Sequence, residues 1–176
     1  METSVLPIII LLPLILGTTL VSLLKQSSRR LTAFAAVGVS MTSLGLLLTQ
    51  AREVFNGAVI TQSWSWLPQL GIDFSFRLDA LGLLFALLIS GIGTLIYIYA
   101  YFYLGPKNSL NKLYLLLMLF MAAMLGISLS NNLILLLVFW ELTSISSFLL
   151  VGYWSNYDAA QRGSRMALTI TGMGGL

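Results

Sequence analysis

LILLLVFWELTSISSFLLVGYW, residues 133–154, decides how this chain folds. Its one charged residue is Glu141, and everything around that carboxylate is apolar, aromatic or hydroxylated. About 20 helical residues cross a hydrocarbon core about 30 Å thick, so the stretch reads as a membrane-spanning helix. Glu141 lies eight residues past Leu133. At about 1.5 Å per residue that is about 12 Å along the helix, not far from the bilayer centre. A carboxylate at that depth costs roughly 2.5–3.5 kcal/mol on insertion scales, so it is expected to have a partner or a task.

The rest of the chain has the same character. Of 176 residues, 58% are hydrophobic and 9% charged, against about a quarter charged in an ordinary soluble domain. Too few charges exist to build a water-facing surface, and lipid must serve as part of the solvent. Apolar runs predict an all-α integral membrane protein, a single membrane domain over residues 1–176. Five complete spans are expected at roughly 5–24, 31–50, 78–104, 112–129 and 133–154. A sixth begins near Arg165 and is cut short at Leu176, so the chain is expected to be the N-terminal part of a longer subunit.

Charge gives the expected orientation. Glu2 precedes the first span and Lys25, Arg29 and Arg30 follow it, the reverse of a signal peptide. With the N-terminus outside, the inner loops hold those three, then Lys107 and Lys112, then Arg162 and Arg165, while the outer segments hold only Arg52 and Arg77. That asymmetry follows the positive-inside rule. The one long loop, between the second and third spans, is then periplasmic. Its alternating stretches 60–66 and 72–77, with Pro68 and Gly71 between, read as a short hairpin capping the helix ends, with Trp64 and Trp66 as interface anchors.

Cysteine and histidine are both absent, which excludes disulfides, thiolate and Ser-His-Asp catalysis, and most zinc or haem ligation. No glycine-rich phosphate loop occurs, and the basic residues sit at helix ends rather than in one patch. The chain is therefore expected to need no cofactor or metal and to bind no nucleic acid. Asp79 opens the third span and is expected to cap it, beside Arg77. Tyr97, Tyr99, Tyr101 and Tyr103 are expected at the inner interface, and Met118, Met121 and Met124 in packing. Glycines in 169–175 suggest a close helix contact or a flexible segment.

On a helical wheel Ser144 lies about 60° from Glu141, and Ser147 and Thr143 continue on that side. Val138, Leu142, Ile145 and Leu149 form an aliphatic stripe on the other. The hydroxyls of Thr143, Ser144 and Ser147 are candidates to line a pathway ending at Glu141; the alternative is that they bond to their own backbone carbonyls. In low dielectric a carboxylate sheds its charge by binding a proton, and an approaching cation reverses that preference. Such a group suits a proton relay or a cation exchanger, and the alternative for Glu141 is a structural hydrogen bond between helices.

Residues 133–154, the run Phe76-Arg77-Leu78-Asp79-Ala80-Leu81-Gly82 and the preceding loop 64–68 resemble the antiporter-like subunits shared by respiratory complex I and the multisubunit Mrp-type Na+/H+ antiporters. The wording WELTSISSFLL at 140–150 and RMALTITGMGGL at 165–176 is most similar to the A-type branch of the Mrp family. The resemblance implies a bacterial cytoplasmic membrane, exchange of cytoplasmic Na+ for external H+, and other membrane subunits as partners. It also implies that Glu141 occupies the family's fifth-helix glutamate position, which works with a lysine on a seventh helix. Two other readings stay open: a proton-pumping subunit of a redox-linked complex, and a structural scaffold.

Overall fold

A computed structural model of the chain describes residues 5–24, 29–67, 69, 72–105, 109–154 and 157–175. Glu2, Lys25, Pro68, Gly71, Lys107 and Leu176, which enter the sequence reading, lie outside the described residues. The described residues are mostly helical, and five helical segments among them are long and apolar enough to cross a membrane.

The first of these, Val5–Leu23, is not one regular helix. Helix α1 (Val5–Leu11) runs into a π-helical stretch, Leu12–Gly17, and resumes as α2 (Thr18–Leu23). Pro13 lies at the head of the wide stretch. Its ring removes a backbone donor and crowds the carbonyl one turn earlier, and widening the helix relieves both. Gly17 closes the stretch where it touches Met118; a Cβ there would stand 2.8 Å from the Met118 sulfur.

Helix α3 (Arg29–Phe55) is longer than the apolar run 31–50 and carries its last turns past Arg52. The loop after it is a two-stranded antiparallel hairpin, β1 (Ile60–Leu67) with β2 (Ile72–Leu78). Trp64 pairs with Phe74 across the ladder, and Trp66 stacks on Phe74 at 4.6 Å. The hairpin is bonded to the helix ends beneath it. Leu6 N–H donates to Gln62 at 3.2 Å, and Asn131 bonds the Ser75 backbone and side chain, each at 2.9 Å.

Helices α4 (Ala80–Tyr103), α5 (Leu110–Leu129) and α6 (Leu133–Val151) follow, each opened by a side-chain cap. Asp79 accepts from Gly82 N–H at 2.8 Å, Ser109 from Lys112 and Asn132 from Leu135, satisfying amides that the first turn leaves without acceptors. Small side chains meet between α3 and α4: Ser40 is buried on one helix, and Ser90 and Thr94 on the other, within hydrogen-bond reach of it. Small residues let membrane helices approach closely where apolar side chains gain nothing over lipid.

Two expectations need correction. The last helix, α7, runs Asp158–Gly175 and so starts well before Arg165. Arg162 and Arg165 lie inside it, not in a loop. Asp158 in its first turn interacts favourably with the helix dipole, and the residues after it contain no proline. Tyr97 is not at an interface: it is 1% exposed, edge-on to Tyr114 at 5.6 Å, and its carbonyl accepts from the Tyr114 hydroxyl at 2.7 Å. Tyr99 and Tyr103 are well exposed, because only one face of α4 meets α3 and α5.

Candidate functional site

Helix α6 packs along α5 on one side and α7 on another. Its buried residues are Leu135, Phe139, Ser144 and Ser146. Val138, Ile145 and Leu149 of the aliphatic stripe stay exposed and Leu142 is half-buried, so that stripe borders the uncovered side. Glu141 lies at the edge between the two sides and is half-buried.

Its Oε1 is fully removed from solvent and has no hydrogen-bond partner among the described residues. A buried polar atom without a partner costs about 1–3 kcal/mol, more when charged. Two chemical states relieve that cost, a proton on the carboxyl or a cation brought against it. Either one makes the group responsive to ions that arrive and leave.

One half-turn before Glu141, α6 makes a close contact with α5. The Phe139 ring lies on Gly126 of α5 so closely that a Cβ at Gly126 would stand 2.2 Å from ring Cδ1. The glycine lets α5 and α6 approach, and the ring fills the notch. Nothing in the apolar run 133–140 announces this, although a lone Gly within an apolar helix was the available signal.

The neighbouring hydroxyls are turned to their own helix. Thr143 donates to the Trp140 carbonyl at 2.7 Å and Ser144 to the same carbonyl at 3.2 Å. Ser147 is half-buried. Ser146, absent from the sequence candidates, is fully buried and bonds the carbonyls of Leu142 and Thr143. Asp79 stands at the N-terminal end of α4 as the helix cap, with Arg77 at 3.4 Å.

A second buried polar group escaped the sequence reading. Ser40 and Thr94 share a hydrogen bond at 2.7 Å between α3 and α4, and Thr94 also donates to the Ser90 carbonyl at 2.8 Å. All three hydroxyl residues are buried. The four-residue spacing of Ser90 and Thr94 could have found them, since it places both on one helix face. Met118 and Met121 fill notches at Gly17 and Gly93. At the far end of the sequence, Gly172 and Gly174 face open space among the described residues.

A family model described as the N-terminus of chain 5 of NADH-ubiquinone oxidoreductase (complex I) matches residues 64–114. A second, described as the transmembrane region of NADH:quinone oxidoreductase and the Mrp antiporter, matches residues 130–176. The A1 subunit of the Staphylococcus aureus Na(+)/H(+) antiporter is 40% identical over 173 residues, covering 98% of this chain and 22% of the relative. The chain thus spans about a fifth of the length of the curated relatives it matches. Among solved structures, the Mrp complex from Dietzia sp. DQ12-45-1b aligns with a TM-score of 0.76 at 27% identity, over 95% of this chain and 18% of that one. A chain of the membrane-bound sulfane sulfur reductase, an archaeal respiratory membrane complex, aligns with a TM-score of 0.83 at 24% identity, over 97% of this chain and 34% of that one. That last likeness is one of fold.

Proposed function

The chain belongs to the antiporter-like membrane subunits that complex I and the Mrp antiporters share, and from that membership we propose that it serves a multisubunit cation/proton antiporter. The assembly exchanges cytoplasmic Na+ for external H+, and Glu141 carries the proton within this chain. The observation that supports Glu141 is its buried Oε1, without a partner among the described residues, in the middle of an otherwise apolar span. A proton or a cation completes that group, and the alternation between the two is the elementary step of exchange.

The N-terminus lies outside in this reading. Arg29, Arg30 and Lys112 stand at the end of the bundle away from the hairpin, and Arg165 shares a hollow there with Lys112, which suits a cytoplasmic face. Other membrane subunits and lipid cover the exposed apolar faces of the helices. Thr143, Ser144 and Ser147 lie on the side of α6 next to Glu141, with Thr143 and Ser144 held by the Trp140 carbonyl until a water or a carboxylate oxygen offers another acceptor.

The test uses the complete assembly in sealed vesicles, following Na+-dependent pH change for the parent and for Glu141→Gln. Sodium should dissipate the pH gradient in the parent and not in the variant. Equal behaviour makes Glu141 structural and removes it from the proton path. The family also spans redox-linked complexes, which supports a second reading as a proton-pumping subunit. In that case neither protein responds to sodium, and substrate oxidation acidifies the vesicles.

A further inference from the structure

At the end of the bundle opposite the hairpin, α5, α6 and α7 enclose a hollow of about 250 Å3. Lys112 of α5 and Arg165 of α7 line it together with Ser164, Leu116, Phe148 and Leu149. The two cations come from different helices, and among the described residues neither has a carboxylate within ion-pairing distance. Lys112 is steered by the Tyr153 ring, 5.7 Å from its ammonium, a contact that leaves its N–H donors free.

The lining is graded with depth. Lys112 opens toward the helix ends, and Leu116 lies one turn further in on the same face of α5. On α6 the order is the same: Gly152 lies beside Ser164 near the end, with Phe148 and Leu149 about one turn deeper. Two cations therefore stand above an apolar wall at one helix seam. An acidic peptide needs the cations but not the apolar depth. A neutral lipid fits the wall but leaves both charges unpaired. The molecule that fits both is an amphiphile with an anionic head.

We propose that the hollow between α5, α6 and α7 binds an anionic phospholipid, with its phosphate held by Lys112 and Arg165 and its acyl chains lying on Leu116, Phe148 and Leu149. Basic pockets between membrane helices are general sites for such headgroups. The site concerns lipid alone and stands independently of which ion the assembly moves.

Diazirine-tailed phosphatidylglycerol and phosphatidylcholine test this on the complete assembly in lipid nanodiscs, with labelled peptides mapped after digestion. Phosphatidylglycerol should label the peptides carrying Leu116 and Phe148 in preference to phosphatidylcholine, with about a fivefold preference contributed by each cation. Lys112→Gln with Arg165→Gln should abolish the preference, and the charge-keeping pair Lys112→Arg with Arg165→Lys should retain it. Arg30→Gln, an exposed arginine at the same end outside the hollow, should leave it unchanged. Equal labelling by the two probes overturns the proposal, as does a preference that survives loss of both cations. Absence of lipid label in these peptides, while other helices are labelled, overturns it in favour of a protein subunit covering the hollow.

Discussion

Replacing Gly126 by alanine adds a single methyl group at the tightest contact of the α5–α6 interface. The new Cβ would meet Phe139 Cδ1 at 2.2 Å, Cγ at 2.3 Å and Cε1 at 2.5 Å, where ordinary contact begins near 3.4 Å. The ring must retreat by more than 1 Å from a position in which it is 9% exposed. Overpacking of this kind costs about 1–3 kcal/mol. Alanine recovers about 1 kcal/mol through helix propensity, leaving a net loss of up to about 2 kcal/mol. Gly45→Ala is the matched control, because nothing lies within 4 Å of a Cβ there and only the propensity gain remains. Thermal denaturation of the solubilised assembly, followed by size-exclusion chromatography, should lower the midpoint for Gly126→Ala and leave or raise it for Gly45→Ala. Adding Phe139→Leu to Gly126→Ala should recover part of the loss, since the smaller side chain vacates the notch. The reasoning fails if the two glycine variants denature alike, or if the Phe139 change adds to the loss without coupling.

Three further outcomes follow from single contacts. Asp79→Ala should destabilise the start of α4 by about 1 kcal/mol while Asp79→Asn retains most of the cap, read as amide exchange at Gly82. Arg29 donates to the carbonyls of Leu104 and Gly105 at 2.8 and 2.9 Å, tying the head of α3 to the tail of α4. Arg29→Ala should speed exchange and proteolysis around Leu104–Gly105, and Arg29→Lys, with one point of contact in place of a fork, should restore only part of the protection. A double-mutant cycle on Ser40→Ala and Thr94→Ala should give a coupling of about 0.6 kcal/mol, the usual worth of such a bond in a membrane bundle; a coupling of zero denies the bond.

Hydropathy and charge alone determined a great deal here. Five apolar runs, a hairpin between the second and third and the capping Asp79 are all properties of residues taken in order. Lipid excludes unsatisfied backbone, so an apolar run of sufficient length has no alternative to a helix. What tertiary structure decided is which face of each helix meets protein. Lipid is as apolar as leucine, so no periodicity separates a protein-facing side from a lipid-facing one. That is why Tyr97 is buried while Tyr99 and Tyr103 are not, why Ser40, Ser90 and Thr94 meet, and why Gly126 receives Phe139. The sequence marks Glu141 as the one charge in an apolar run; only the folded bundle leaves one of its oxygens buried with no partner among the described residues.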